Sequence, residues 1–285
     1  MSNFLNDIAD YIKEKGYNVY SIAIIENAGE AQSIQLKNVN ACQDSYSVAK
    51  AFTMTAVGIL FDRGLLKLDS KVVDLLGDEC PENLDERWQK VTVKMILKHR
   101  VGLKDGSLDI DCFDSRTFGE DYLDFWMHKE FLFEPDEDRL YSDGAYYLLA
   151  RIVEKLAGEN LSVFLWKNLF YKLGFREVAW SNCPKGHCMG ATGLYIRSED
   201  MVKLGEIYLE GGTYHGERIV SREWTELALG EPFELSKCGI GNAYGKGGMH
   251  CQNLFVDPDK KRVVAYHSYD DVDNGDLIRF TVEYE

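Results

Sequence analysis

The stretch Ser45–Leu60, SYSVAKAFTMTAVGIL, places Ala51, Phe52, Met54, Ala56, Val57, Ile59 and Leu60 around almost the whole circumference of a helix. That is the pattern of a helix buried on every side. Yet it opens with Ser47 and Lys50. Side chains three residues apart share a helical face, and lysine is seldom buried without a partner. A hydroxyl at a helix start lies near free backbone N–H groups and the positive end of the helix dipole, which stabilise negative charge on its oxygen. An amine one turn on, in apolar surroundings, has its charged form disfavoured by desolvation and accepts protons more readily. Such a pair makes an activated nucleophile. The same two residues also fit a plain helix cap followed by a lysine that snorkels to the surface.

Upstream, NVYSIAII (residues 18–25) predicts a largely buried strand, and ENAG (26–29) a turn into AQSIQLK, together a hairpin. Before it, Leu5, Ile8, Ala9 and Ile12 fall at helical spacing and Gly16 supplies a stop. Downstream, from Leu60 to about Asn182, the segments VTVKMILKH (91–99), YLDFWMHKEF (122–131) and GAYYLLARIVEKLAG (144–158) carry apolar residues three or four apart, a helical period. EDMVKLGEIYLEGG (199–212) and SREWTELAL (221–229), capped by Ser221, continue it. CQNLFVDPDKKRVVAYHS (251–268) predicts a second hairpin, and the alternating tail IRFTVEYE (278–285) predicts a strand. Strands toward both ends with helices between them imply an α+β fold: an antiparallel sheet flanked by helices, with an all-helical subdomain inserted. Within a single domain of residues 1–285, the α/β subdomain covers approximately 1–60 and 190–285, and the helical subdomain approximately 61–189. The seam between two such parts is a usual place for a small-molecule cleft.

A formal net charge of -15 disfavours phosphate backbones and anionic lipid, so neither nucleic acid nor membrane is expected as a partner. No apolar run approaches the ~18 residues of a membrane span, and Asp7 and Asp10 interrupt the run a secretory leader needs. The 7 cysteines, odd in number and irregularly spaced, read as reduced thiols, which points to the cytoplasm.

Two further segments hold chemistry. In RLYSDGAYYLLARIVEKLAG (139–158), Tyr141, Ser142 and Asp143 precede an apolar helix that Ser142 or Asp143 can cap. In AYGKGGMHCQNLFVDP (243–258), Lys246, Gly247 and Gly248 precede a strand, and glycines at a strand edge let another backbone or a substrate come close. In this order and spacing, Ser47/Lys50, Tyr141/Asp143 and Lys246/Gly248 resemble the three motifs of the penicillin-recognising serine hydrolases: serine β-lactamases, D,D-peptidases and related esterases, most nearly the class C β-lactamase type. The stretches LKHRVGL (97–103), ATGLYIRSEDMVKLGEIYLEGGTYHGERIVSREW (191–224) and NLFVDPDKKRVVAYHS (253–268) are similar too, so the resemblance runs from about residue 18 to residue 268.

The resemblance implies a serine hydrolase that cleaves an ester or amide of a small molecule through an acyl-enzyme, with no cofactor. Ser47 is then the nucleophile, Lys50 and Tyr141 share the general-base work, and the backbone N–H groups of Ser47 and Met249 form the oxyanion hole, with Gly248 beside them. Lys246 supplies positive charge near Tyr141 and holds an anionic substrate group, and Ser142 and Asp143 lie beside the substrate. Two departures stand out. Asp143 occupies the place of an asparagine, exchanging an amide donor for a carboxylate. Gly247 replaces a threonine or serine hydroxyl that holds a substrate carboxylate in relatives, which disfavours β-lactam and D-alanyl substrates. Ser142–Asp143 also fits the alternative S-D-N form of the second motif, which makes Tyr141 a bystander. The chain is short for the family, implying trimmed substrate loops. The departures motivate a rival of another class, a catalytically inactive binding or regulatory protein on the same fold.

Cys183, His187 and Cys188 in NCPKGHC lack the second ligand pair of a structural zinc site. In DDVDNGD (270–276) the glycine is misplaced for a calcium loop. GIGNAYGKGG (239–248) has Tyr244 where a dinucleotide fingerprint needs its third glycine. His99, His250 and His267 read as structural.

Overall fold

The computed structural model describes residues 2–104, 108–231, 233–271 and 274–285. The chain forms two compact units: residues 1–48, 172–179 and 194–285 make the first, and 49–171 with 180–193 the second.

The first unit is built on a six-stranded antiparallel sheet. Its strands are β1 (Val19–Glu26), β2 (Gln32–Gln35), β3 (Ser236–Lys237), β4 (Tyr244–Gly248), β5 (Gln252–Asp257) and β6 (Arg262–Ser268), in the spatial order β2-β1-β6-β5-β4-β3. Both predicted hairpins are present, β1–β2 and β5–β6. Successive side chains of a strand point to opposite faces, and both faces of the central strands are covered. On one face Ile22, Ile24, Phe255, Val264 and Tyr266 pack with Phe4, Leu5 and Ile8 of helix α1 (Asn3–Lys15). On the other, Leu254, Val256 and Val263 meet Gly205, where an added Cβ would lie 2.4 Å from Val263 Cγ1. Gly205 belongs to the helix Ser198–Leu209, and its missing side chain lets that helix settle onto the sheet.

The tail is a correction. Residues Gly275–Glu283 form a helix, not a strand, and bury Leu277, Thr281 and Val282. The alternation of IRFTVEYE also places apolar residues four apart, and docking decides between the two periods. Phe280 stacks on Tyr11 of α1 at 4.4 Å between ring centroids, and Tyr284 meets Phe4 edge-on at 5.1 Å. Of the segment DDVDNGD, residues 272 and 273 lie outside the described residues.

His267 of β6 is fully buried. Its Nδ1 lies 2.8 Å from Ser198 Oγ, which lies 2.7 Å from Ser21 Oγ. Burial pushes its pKa down from 6.5 to about 3. As pH falls through this window the unfolded chain takes up a proton that the folded chain refuses. Stability is therefore lost toward acid, with a slope of up to about 1.4 kcal/mol per pH unit. Urea unfolding is expected to show a loss of about 2–3 kcal/mol from pH ~7 to ~4.5, and His267→Gln a visibly flatter profile. An unchanged acid limb in the variant assigns the loss to other groups.

The second unit is helical. Helix α2 (Ala49–Asp62) is buried from Ala49 to Leu60, and the helix α3 (Asp143–Ala157) from Asp143 to Glu154. They belong to one core, in which Tyr146 Oη donates to the Leu97 carbonyl at 3.2 Å, Thr53 Oγ1 to the Gly190 carbonyl at 2.6 Å, and Phe52 faces Phe170. Trp88, Trp126 and Phe131 form an edge-to-face cluster beneath it. Among the described residues, no helix is long and apolar enough to cross a membrane.

Candidate active site

In the first unit the half-buried Ser47 sits in a 3₁₀ turn, Tyr46–Val48, just before the chain enters α2. Asp44 shapes this turn by accepting from the Tyr46 backbone N–H at 2.8 Å. Tyr46 takes φ 45°, left-handed and unfavourable for a bulky residue. Ser45, fully buried, is tied to the Leu194 carbonyl through its Oγ at 2.8 Å. The turn lies against the end of β4. A Cβ added to Gly248 would stand 2.7 Å from the Ser45 carbonyl oxygen and 3.2 Å from the Ser47 backbone nitrogen. Glycine is thus required here for close approach. Ser47 and Gly248 are thus neighbours in space, and Met249 follows Gly248 directly in the chain. Directly after Met249, His250 and Cys251 take φ 54° and 66°, a second strained segment. The His250 ring meets the Tyr46 ring at 5.2 Å and stacks on Tyr269 at 3.9 Å, while its Nδ1 lies 2.6 Å from Asp271. Lys246 lies opposite Leu254 in the β4–β5 ladder, and its Nζ is 2.5 Å from Glu234 Oε2.

The second unit holds the other half of the motif set. Lys50 is 0% exposed and donates to Asp143 Oδ1 at 2.7 Å and to the Ala191 carbonyl at 3.1 Å. The bare apolar pocket expected for this amine is therefore corrected: a carboxylate supplies the opposite charge that a buried ammonium needs. The Lys50 ammonium also lies 4.7 Å from the centroid of the Tyr141 ring, and Tyr141 itself is 42% exposed. Ser142 is the helix cap, its Oγ accepting from the Ala145 N–H at 3.3 Å. That leaves Asp143 as the first helical residue, aimed at Lys50. Gly144 fixes its height, since an added Cβ would fall 2.0 Å from Trp126 Nε1.

Three residues of these surroundings were not read as partners in the sequence. His99, buried and at φ 55°, accepts from the Ser142 N–H through Nδ1 at 3.1 Å and lies 4.5 Å from the Tyr141 ring, so it holds the second motif from behind. Asp111 Oδ2 accepts from the buried Thr192 Oγ1 at 2.5 Å. Burial pushes its pKa up, with Asp109 and Asp143 adding to the effect and Lys50 and the Thr192 bond opposing it. Glu234 is the partner of Lys246. None of the three has a local pattern that announces it; each is recognised only by what the fold sets beside it.

The remaining motif residues are engaged elsewhere. Cys183 Sγ accepts from Tyr147 Oη at 3.3 Å, His187 Nδ1 lies 2.6 Å from Glu154, and Cys188 Sγ contacts Asn160 Oδ1 at 3.1 Å. Among the described residues, no three His, Cys, Asp or Glu side chains are grouped to hold a metal ion.

The chain is similar to several known proteins. Penicillin-binding protein 4* of Bacillus subtilis (strain 168) is 29% identical over 151 residues, which are 49% of this chain and 30% of that protein. The 6-aminohexanoate-dimer hydrolase of Paenarthrobacter ureafaciens is 28% identical over 143 residues, 41% of this chain and 36% of that protein. The matches thus span about a third of the length of these curated relatives, which include a hydrolase. The crystal structure of a penicillin-binding protein from Bacillus halodurans superposes with a TM-score of 0.71 at 17% identity, over 99% of each chain, a likeness of fold. The family model described as Beta-lactamase matches residues 38–279, and the chain belongs to the β-lactamase family.

Proposed function

We propose that the protein is a serine hydrolase that cleaves an ester or amide bond of a small molecule through a covalent acyl-enzyme. The observation that carries this is Lys50, a wholly buried amine fixed by Asp143 and Ala191 under the ring of Tyr141, three residues after a hydroxyl held in a strained turn. Burying an ammonium is costly, and a fold that does so beside a half-exposed phenol has a use for that charge. In the reaction, Ser47 Oγ attacks the substrate carbonyl and its proton passes to Tyr141 as general base, the group that the Lys50 ammonium lies against. The backbone N–H groups of Ser47 and Met249 receive the oxyanion. The proton goes to the leaving group as the acyl-enzyme forms, and water attacks the ester in a second cycle of the same transfers. Ser142 gives its oxygen to the helix cap, which favours Tyr141 over Ser142 as the second-motif base.

The same ion pairs motivate a second reading, a binding protein on this fold, since both motif lysines carry carboxylate partners. The experiment is labelling with a fluorescent fluorophosphonate and turnover of p-nitrophenyl esters by the wild type and Ser47→Ala. Labelling at Ser47 and turnover are expected in the wild type, with a fall of about 10³-fold or more in the variant. A wild type that is neither labelled nor active leaves the binding reading.

A further inference from the structure

Within the first unit, each residue assigned to the oxyanion has a strained neighbour. Tyr46, at φ 45°, stands directly before Ser47, and His250 and Cys251, at φ 54° and 66°, directly follow Met249. A non-glycine residue held left-handed persists only where its surroundings over-determine it. The backbone after Met249 is fixed in this way. The Gln252 N–H donates to the Met249 carbonyl, closing one turn over His250 and Cys251. Ser268 Oγ, at the end of β6, lies 2.6 and 2.8 Å from the His250 and Cys251 carbonyls, and the Asp270 N–H donates to the His250 carbonyl at 3.2 Å. Gln252, itself buried, accepts from the Ser268 N–H at 3.1 Å and donates to the Ser268 carbonyl. None of these bonds reaches the serine turn. The His250 ring does: it meets the Tyr46 ring edge-on at 5.2 Å and 71°, and it stacks on Tyr269 at 3.9 Å and 16°. Its Nδ1 lies 2.6 Å from Asp271 Oδ1, and since a carboxylate only accepts, Nδ1 carries the proton there. On the other side of Met249, Gly248 comes so close to Ser45 and Ser47 that it has no room for a Cβ. Met249 is therefore bracketed by two residues that both touch the turn carrying Ser47.

We infer that His250 is a positioning residue for acyl transfer: its ring ties Tyr46, and with it the Ser47 turn, to the segment that begins at Met249, and so sets the spacing of the two backbone N–H groups assigned to the oxyanion. The inference rests on the hydrolase reading above. An oxyanion hole works through donors fixed in advance where charge will develop, and a misplacement of about 1 Å can cost about 100-fold in rate. Gly248 sets how near the strand comes to the turn. The His250 ring, held between Tyr269 and Tyr46, keeps the turn from shifting along it.

The test measures turnover of p-nitrophenyl butyrate per serine titrated by the fluorophosphonate, together with the rate constant of that labelling, so that a loss of folded protein is not counted as a loss of rate. His250→Asn keeps a side chain that tolerates the left-handed backbone but removes the ring. It is expected to lower kcat about tenfold and to slow labelling in parallel, with KM within about twofold and labelling still complete. His250→Phe, which keeps the ring and gives up the bond to Asp271, is expected to stay within about threefold of wild type, because an ion pair with so exposed a carboxylate adds little. Tyr46→Leu removes the same contact from the other side and is expected to lose as much as His250→Asn, and the double variant to lose about the same again as either alone, not the ~100-fold product. Wild-type kcat in His250→Asn or in Tyr46→Leu, an equal loss in His250→Phe, or losses that multiply in the double variant overturn the inference while leaving a Ser47-labelled hydrolase standing. A wild type that is neither labelled nor active overturns the hydrolase reading and this inference with it.

Discussion

Replacing Asp143 with alanine destabilises the protein by about 3–5 kcal/mol and abolishes turnover. The first effect follows from burial: Lys50 is wholly enclosed, and removing its carboxylate leaves an ammonium in a low-dielectric core without the opposite charge that offsets its lost hydration. The second follows from position, since the Lys50 amine loses the partner that aims it at the Tyr141 ring. The double replacement Lys50→Met with Asp143→Ala separates them. Removing both charges is expected to recover most of the stability, because buried ion pairs exchange with apolar side chains at little net cost, while activity stays absent. Urea unfolding of the two single variants and the double, alongside ester turnover, reads the cycle. A single-variant cost below about 1 kcal/mol contradicts the view that this pair is a buried, mutually dependent unit.

The second large effect is expected at Gly248. Alanine there brings a Cβ to 2.7 Å from the Ser45 carbonyl and 3.2 Å from the Ser47 nitrogen, so strand β4 and the serine turn must part. The backbone of Gly248 is extended, φ -125° and ψ 167°, hence the penalty is steric and not conformational. Displacing one oxyanion donor costs about 100- to 1,000-fold in rate, and kcat of Gly248→Ala is expected to fall by that amount. Gly247→Ala is the control: its Cβ has room, and kcat is expected to stay within about threefold. Equal losses in both variants point to a general sensitivity of the strand; no loss in either removes Met249 and Ser47 from the oxyanion role.

Much of this was legible beforehand where the governing interactions are local. Apolar spacing in the segments 49–62, 143–157 and 198–209 marks their helices, and the turn residues between β1 and β2 and between β5 and β6 mark the hairpins. Ser221 was legible as a cap, its Oγ accepting from the Trp224 N–H. For the helix at 143–157 the residues left Ser142 and Asp143 as equal candidates, and the fold chose Ser142 because Asp143 is committed to Lys50. The tail was misread because eight alternating residues satisfy two periods at once. Docking selects the helical one, through the aromatic contacts with Tyr11 and Phe4 and the burial of Leu277, Thr281 and Val282.

By itself, then, the sequence determined that Ser47 and Lys50 stand at the start of a helix buried along most of its length, that the three motifs follow one another in order, and that strands flank a helical insertion. These are properties of neighbours along the chain, set by residue type and spacing. Only the tertiary structure decided what balances the lysines: Asp143, 93 residues from Lys50, and Glu234, on a segment with no pattern of its own. Ion partners inside a core are fixed by which distant carboxyl the folded backbone carries within 3 Å, and no local period encodes that distance.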